Sequence, residues 1–387
     1  MSEAAGAIER LLSEREIVVT CGPGGVGKTT TAAALGAMAA SRLGGKVLVL
    51  TVDPARRLAN ALGIEGIGND VVEVPASVFE AVGETPLGSL SAAMLDTKQS
   101  WDALIAQHAP DSATREKILE NPLYQNLTGR FIQSHDYIAM ERLFELHSTG
   151  EWDLIVVDTP PTRNALDFLD APARMADFFS SRLLRWLIAP SRSALLGVAS
   201  KPFTQIADRI LGTQFLTDIS EFFLSMQAMY GGFVQRANSV ARLMADERTS
   251  FVVVSSSETV PLREAEFFTA ELAKRKLSIG AIVLNKALPR SISDPAAAKT
   301  AHELESRREQ LAPRIAAELD LDEATTARVL ETITESFTDF SIVARREAAS
   351  RDRFPVKGAP LITLEQMDHD IADMSGLIEM GSGLFAG

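Results

Sequence analysis

The sequence is poor in cysteine and carries no excess of basic residues. A single thiol, Cys21, occurs in 387 residues, which excludes a disulfide framework within the chain and a multi-thiolate metal site supplied by one chain. We expect Cys21 to be a small buried strand residue. The net charge of −13 disfavours sequence-independent binding to nucleic acid, so we expect no nucleic-acid partner.

Long apolar runs are also missing. No uncharged stretch is long enough to span a bilayer, and the first residues, Met1–Ala4, lack the basic region and apolar stretch of a signal peptide. We therefore predict a cytoplasmic protein whose contact with a membrane is transient at most. With 46% hydrophobic and 23% charged residues, the composition is that of a soluble globular protein.

The most informative stretch runs from Gly22 to Thr29 and has the sequence GPGGVGKT. It fits the phosphate-binding pattern G-x-x-x-x-G-K-[ST], and it lies between a β-branched run over 17–21, predicted to be a strand, and an alanine-rich segment over 30–43, predicted to be a helix. A glycine-rich turn without a ligand is the alternative. The predicted nucleotide-contacting residues here are Gly22, Gly24, Gly25, Val26, Gly27, Lys28, Thr29 and Thr30.

Each loop residue type has a chemical reason. Glycines let the backbone approach a triphosphate, so that N–H groups and the positive end of the helix face the anion. Lys28 would reach the β- and γ-phosphates as a catalytic residue, and the Thr29 hydroxyl would be a ligand of magnesium.

Two further predicted strands lead into aspartates. The strand over 46–51 precedes Asp53, and the strand within Trp152–Asp158 ends in Asp158. Ligands of parallel sheets bind at the carboxyl ends of the strands, which places both carboxylates near the γ-phosphate and the magnesium. Asp53 is interpreted as a catalytic residue that orients the attacking water, or alternatively as a helix N-cap. Both aspartates are predicted magnesium residues, partly through water.

The strand predicted over 279–285 ends in Asn285 and Lys286, and Pro289 follows. We predict that these three residues contact the nucleotide, because a strand-end asparagine can read a base; an ordinary strand-to-turn asparagine is the alternative. Leu288 stands where guanine-specific N-K-x-D motifs have aspartate, which favours adenine.

Helical patterns dominate the rest of the chain. An apolar stripe at three- and four-residue spacing is interpreted either as helix-to-helix core or as a groove for an apolar client, since methionine and phenylalanine surfaces adapt to varied ligands. The predicted client-groove residues are Phe215, Ile219, Phe222, Phe223, Met226 and Met229.

The predicted fold class is α/β: a mostly parallel P-loop NTPase sheet flanked by helices, with an inserted all-helical subdomain. We expect one P-loop ATPase domain over 1–387, ending in an acidic, glycine-rich segment that frays. Its predicted parts are a nucleotide-binding core (1–86, 150–172, 248–290 and 338–365), a helical subdomain (87–149 and 173–247) and a helical hairpin (291–337).

Four stretches in order, GPGGVGKTT, TVDPARRL, VVDTPPT and VLNKALP, resemble those of the ArsA-type ATPases. This family contains arsenical-pump ATPases and the guided-entry ATPases that target tail-anchored membrane proteins. The resemblance covers most of the chain and implies ATP and Mg²⁺ as cofactors, a nucleotide-dependent homodimer or heterodimer with a homologous ATPase, and a hydrophobic membrane-protein client. It also implies Asp53 as the switch I water-positioning residue, residues 158–162 as switch II, and Asn285 near adenine.

The sequence departs from the family at two points. The family's loop usually carries a lysine where this chain has Pro23, and that lysine crosses the dimer to the partner's nucleotide. Losing such a cation can cost orders of magnitude in rate. The family's metalloid-binding cysteines and zinc clasp are also missing, since Cys21 can provide neither, which disfavours arsenite transport.

Three other functions stay open. The chain could be a weakly hydrolysing subunit of a heterodimer with a lysine-bearing ATPase, as Pro23 suggests. It could be an ATPase associated with a transporter of another oxyanion. A ParA/MinD-like positioning ATPase is the third, although that class usually has a basic or amphipathic C-terminal contact and the tail over 368–387 is acidic.

Overall fold

The computed structural model of the chain describes residues 6–52, 56–64, 66, 68–127, 132–160, 170–171, 173–174, 177, 218, 221–226, 229–355 and 358–386. Within these residues eight strands form one sheet: β1 (Ile17–Cys21), β2 (Lys46–Thr51), β3 (Val72–Glu73), β4 (Ser89–Met94), β5 (Leu154–Asp158), β6 (Thr249–Ser256), β7 (Ile279–Ala287) and β8 (Leu361–Glu365).

The strands are ordered β3-β4-β2-β5-β1-β6-β7-β8. Every neighbouring pair is parallel except β3 and β4, which run antiparallel. Parallel strands need crossover connections, and helices on both faces of the sheet provide them. The predicted α/β class, a mostly parallel sheet flanked by helices, is therefore confirmed.

All the described helices except the first and the last lie between consecutive strands. They are α1 (Ala7–Glu14), α2 (Lys28–Met38, continued by a π-helical turn Ala39–Leu43), α3 (Arg56–Ala61), α4 (Ala76–Glu80), α5 (Thr97–His108), α6 (Ser112–Leu119), α7 (Pro122–Leu127), α8 (Ile132–Ser148), α9 (Tyr230–Met244), α10 (Thr259–Lys274), α11 (Arg290–Ser293), α12 (Pro295–Ser306), α13 (Arg308–Leu319), α14 (Glu323–Arg353) and α15 (Met374–Ala386). None of them is both long and apolar enough to cross a membrane.

Strand β1 shows why this sequence forms a central strand. All five of its residues are buried, and β-branched side chains suit a strand that is covered on both faces. Because side chains alternate across a strand, Val19 joins one apolar cluster, with helix residues such as Trp101, and Val18 joins the other, with α2 residues such as Leu35. The sheet thus separates two cores.

Two observations bear on the predicted domain boundaries, which stay predictions. Strand β4 lies inside the sheet, although the predicted helical subdomain includes the range 87–149. Helix α14 runs without a break through residue 337, the expected end of the hairpin.

The expectation that the C-terminal segment frays is wrong. Helix α15 packs on α2, and Leu377 and Leu384 are fully buried. Gly381 lies so close to Met38 that an added Cβ would meet its Cγ at 2.1 Å. Apolar residues spaced three and four apart bury one face of this helix, which outweighs the poor helix propensity of its glycines.

Candidate nucleotide-binding site

The phosphate loop leaves β1 at Gly22 and enters α2 at Lys28. Gly22 has a φ of 143°, and a Cβ there would lie 2.0 Å from the Val254 carbonyl oxygen of β6. Gly27 has a φ of 94°, and a Cβ would lie 2.5 Å from Nδ2 of Asn285. Both positions therefore require glycine, because side chains rarely adopt these angles and there is no room for one.

Lys28 lies at the first turn of α2 and is only 6% exposed. Its Nζ donates a hydrogen bond to the backbone oxygen of Pro23 at 2.8 Å, so the ammonium lies across the loop. A buried lysine at the N-terminus of a helix is suited to binding an anion. Pro23 is itself buried.

Asp158 ends β5 between the ends of β1 and β2, opposite Thr20 and Thr51 in the sheet register. Its Oδ2 accepts hydrogen bonds from the Thr29 Oγ1 at 2.6 Å and from the Thr51 Oγ1 at 3.0 Å. The structure thus brings the loop hydroxyl of Thr29 and the strand-end carboxylate of Asp158 into direct contact. Hard oxygen donors at this spacing fit Mg²⁺, which prefers one or two carboxylates together with hydroxyl, water and phosphate oxygens.

Asn285 and Lys286 join the end of β7 to the phosphate loop. The Asn285 amide donates to the Val26 oxygen at 2.9 Å, and the Lys286 ammonium donates to the Gly25 oxygen at 3.0 Å. Lys286 has a left-handed φ of 58°, and its N–H donates to the Asn285 Oδ1. In this conformation the asparagine holds the loop, a role that its strand-end position did not predict.

A cleft of about 890 Å³ opens beside the loop. Gly25, Lys28 and Thr29 line one side, and Asn285 and Lys286 also border it. A further wall, called the C-terminal wall, comes from residues 364–367 and 369–372 and from Leu377, Met380 and Gly383 of α15. Pro289 does not line the cleft; it precedes α11 as the N-cap residue.

Sequence reasoning missed this C-terminal wall. The signal that could have found it is the spacing of Met374, Leu377, Met380 and Leu384, which recur at three- and four-residue steps and are all buried. This period is typical of a helix with one packed face.

Cys21 lies fully buried in β1, as its sequence position predicts, and its Sγ approaches the Val252 oxygen at 3.5 Å. Burial raises the pKa of the Cys21 thiol, with the nearby Lys28 charge acting weakly in the opposite direction. The thiol is therefore a structural group and not a nucleophile at neutral pH.

Several predicted residues lie outside the described part of the chain: Asp53, Phe215 and Ile219. The described members of the apolar stripe are in the core. Phe222, Met226 and Met229 are buried in one cluster with Phe233, and Phe223 is half-buried. These four described side chains therefore pack in the core.

Comparison with known proteins gives the same assignment as the site. The family model described as anion-transporting ATPase matches residues 15–345. The chain is similar to the ATPase get3 of Schizosaccharomyces japonicus, with 26% identity over 290 residues that cover 73% of this chain and 78% of that protein.

Two further relatives match at the same level. The ATPase ASNA1 homolog of Entamoeba dispar is 25% identical over 287 residues, covering 73% of this chain and 80% of the relative. The ATPase GET3 of Malassezia globosa is 26% identical over 284 residues, covering 73% and 76%. Since the family model spans most of the chain and includes the phosphate loop, Asp158 and Asn285, this chain is a P-loop ATPase that belongs to the anion-transporting ATPase family.

Proposed function

We propose that the chain binds Mg-ATP at the phosphate loop and hydrolyses it within a nucleotide-dependent dimer in the cytoplasm. The observation that supports this most is the approach of the Thr29 hydroxyl to the Asp158 carboxylate, at 2.6 Å beside the buried Lys28. Thr29 and Asp158 would hold magnesium, and the bound ion would offset the charge of the phosphates.

The other residues act on the nucleotide around this pair. The Lys28 ammonium would exchange its bond to the Pro23 oxygen for the β- and γ-phosphates, because a phosphate oxygen carries more charge than a carbonyl. Asn285 and Lys286 would keep the loop in its binding conformation, with adenine beside Asn285 and the C-terminal wall. Asp53 would orient the attacking water, a role that rests on its sequence position.

We further propose that nucleotide turnover is coupled to the helical region and to a hydrophobic membrane-protein client. Val157, next to Asp158 in β5, belongs to the same apolar cluster as Phe222, Met226 and Met229. A contiguous packed core therefore joins the nucleotide site to the described client-groove residues. A shift of β5 would disturb the packing of those residues, because packed cores deform little. Client binding would require these buried side chains to open.

The test is steady-state Mg-ATP hydrolysis by the purified chain, with ATP affinity measured in parallel. Lys28→Ala should abolish productive binding and hydrolysis, because it removes the buried cation of the loop. Lys274→Ala, whose side chain is 76% exposed on α10, is the matched control and should behave as wild type. Unchanged affinity and hydrolysis in Lys28→Ala would exclude this site.

Pro23 favours a second candidate: an ATP-binding, weakly hydrolysing subunit that pairs with a homologous lysine-bearing ATPase. Under this proposal the purified chain binds ATP but hydrolyses it no faster than Lys28→Ala. Full activity of the purified chain, together with self-association alone in native extracts, would contradict the heterodimer and leave a self-sufficient homodimer.

A further inference from the structure

Strand β7 ends with two neighbouring side chains that both reach the phosphate loop. Val283 packs in the apolar cluster that contains α2, and Leu284 packs in the cluster on the other face of the sheet. Because side chains alternate along a strand, Asn285 should face α2 and Lys286 should face away from it. Both nevertheless donate hydrogen bonds to backbone oxygens of the loop. A regular strand cannot place both side chains there.

The end of β7 departs from a regular strand at this point. Leu284 pairs with Thr363 of β8, and Ala287 pairs with Glu365. Three steps along β7 thus correspond to two along β8, so β7 carries one extra residue, as in a β-bulge. Such irregularities re-aim side chains and are frequent beside active sites. Lys286 lies inside this stretch, which explains how its side chain turns toward the loop.

The backbone of Lys286 is unusual as well. Three of the described non-glycine residues have a left-handed φ: Lys276 at 60°, Lys286 at 58° and Asp320 at 53°. Lys276 and Asp320 follow the helices α10 and α13, where a left-handed residue commonly ends a helix. Lys286 lies within a strand. A left-handed conformation costs free energy in a residue other than glycine, and it persists where neighbouring contacts fix it, often at ligand sites.

The contacts of Lys286 and Asn285 orient the loop backbone. The Lys286 ammonium donates to the Gly25 oxygen at 3.0 Å, and the Asn285 amide donates to the Val26 oxygen at 2.9 Å. In a trans peptide group the C=O of one residue and the N–H of the next point in opposite directions, and both peptide bonds are trans. The N–H groups of Val26 and Gly27 therefore point away from the two donors. Because backbone N–H groups of such a loop hold phosphates, Lys286 helps to set the anion-binding face.

The side chain of Lys286 also borders the cleft, and it is exposed. Its methylene stem connects β7 to the ammonium at Gly25. Met367 and Ile371 of the C-terminal wall border the same cleft. A nucleotide base is apolar on its two faces, and lysine stems cover apolar surface while the charged end keeps a polar partner. The stem is therefore suited to contact one face of a base in the cleft.

We propose that Lys286 couples the base of the bound nucleotide to the phosphate loop: its stem lies against one face of the base, and its ammonium holds the Gly25 oxygen. Base binding then fixes the stem, and the fixed ammonium keeps the loop in the orientation that receives phosphates. Lys286 is thus a positioning residue that acts on the phosphates through the loop. This inference rests on the proposed function, since it requires ATP in the cleft.

The test compares two ligands and two substitutions in the full-length chain. Mg-ATP carries a base, whereas magnesium tripolyphosphate carries the phosphates alone, and titration calorimetry measures the affinity for each. Lys286→Met keeps an unbranched apolar stem without the ammonium, and Lys286→Ala removes both. The matched control is Lys276→Ala, at an exposed lysine with nearly the same φ that is not among the described residues bordering the cleft. All three variants keep a Cβ, so the backbone strain is the same in each comparison.

We expect Lys286→Met to weaken the binding of both ligands about tenfold, because the charged hydrogen bond to the loop is lost. Lys286→Ala should bind tripolyphosphate as Lys286→Met does, but it should bind ATP about fivefold more weakly than Lys286→Met, because the apolar stem is lost too. Lys276→Ala should bind both ligands as the wild-type chain does. Circular dichroism checks the fold of each variant.

Two results would overturn the coupling. Unchanged tripolyphosphate affinity in Lys286→Met would show that the ammonium does not orient the loop. Equal ATP affinities of Lys286→Met and Lys286→Ala would show that the stem does not contact the base, and that the residue only supports the loop. A wild-type chain that binds no ATP would contradict the proposed function together with this inference, whereas wild-type binding that neither Lys286 variant alters would contradict this inference alone.

Discussion

The glycines of the phosphate loop differ in what surrounds them, and this difference predicts the cost of replacing each one. Gly25→Ala meets no atom within 4 Å and only strains a φ of 78°, which costs about 1–2 kcal/mol. Gly22→Ala meets the Val254 carbonyl oxygen, and Val254 is held in the sheet by its pairing with Val283, so the cost should be about 3 kcal/mol or more. Urea unfolding without nucleotide measures both variants. Equal losses would show that the loop relaxes away from β6.

A second prediction at this scale concerns a buried ion pair in the helical region. The Arg236 Nε donates to both oxygens of Glu141 at 3.2 and 3.1 Å, and Glu141 also accepts from the Tyr137 hydroxyl. Glu141 is only 5% exposed. Arg236→Met should therefore reduce the free energy of unfolding by about 3–5 kcal/mol at neutral pH, because it leaves a buried carboxylate without its cation.

The pH dependence of the stability of Arg236→Met follows from the direction in which the pKa of Glu141 is shifted. Burial raises the pKa of Glu141 above its usual value, and Arg236 opposes that rise. Removing the arginine raises the pKa further, so the folded state takes up the proton more readily than the unfolded state. The stability deficit of Arg236→Met should then be smallest below the unfolded-state pKa and grow as the pH rises. The double variant Arg236→Met/Glu141→Gln, which keeps an acceptor for Tyr137, should recover most of the loss at neutral pH; a deficit that is independent of pH would contradict this account.

At the scale of elements, α15 connects the C-terminus to the nucleotide site. It packs on α2, the helix that begins with Lys28, and it borders the cleft through Leu377 and Met380. The family model stops at residue 345, so α15 lies outside the residues that it matches. Because α15 contacts both α2 and the cleft, we expect it to contribute to folding stability and to nucleotide binding.

Leu384→Ala tests this role. Leu384 is fully buried, so the truncation should cost about 2–5 kcal/mol of unfolding free energy. It should also reduce the stabilisation that Mg-ATP provides, because a loosened α15 weakens one wall of the cleft. Unfolding curves with and without Mg-ATP measure both effects. Ser382→Ala on the same helix is the control and should stay within about 0.5 kcal/mol of wild type; a Leu384→Ala loss that leaves the Mg-ATP stabilisation intact would confine α15 to a structural role.

For the whole molecule, the decisive question is whether a second chain completes the site. The double variant Pro23→Lys/Lys28→Ala should not hydrolyse ATP at its own site, because it lacks Lys28. It carries a lysine at position 23, where ArsA-type ATPases usually have one. Mixed with the wild-type chain, it should raise hydrolysis by at least about tenfold over the sum of the two proteins, because a cation on the transferring phosphoryl group is worth orders of magnitude. Pro23→Ala/Lys28→Ala is the matched control. Additive rates would show that position 23 supplies nothing across the dimer.

The sequence by itself determined the chemistry that lies in contiguous residues. The strand, glycine loop and helix around Lys28 and Thr29 are local, and so is the strand that carries Asp158; their patterns predict both the elements and the edge of the sheet where they meet. The meeting of Thr29 with Asp158 could be expected because parallel strands end at one edge. The short β3 could not, because two residues carry no periodic signal.

Only the tertiary structure decided the features that depend on contacts between distant parts of the chain. Asn285 donates to Val26 across 259 positions of sequence, so its role in holding the loop does not follow from its place at the end of β7. The wall formed by α15 arises from burial against α2, which a glycine-rich composition hides. The exposure of Ile333 and Phe340 likewise became visible only when α14 was found to bury its small residues instead. The physical reason is common to all three: residue spacing defines the faces of an element, but packing decides which face is covered.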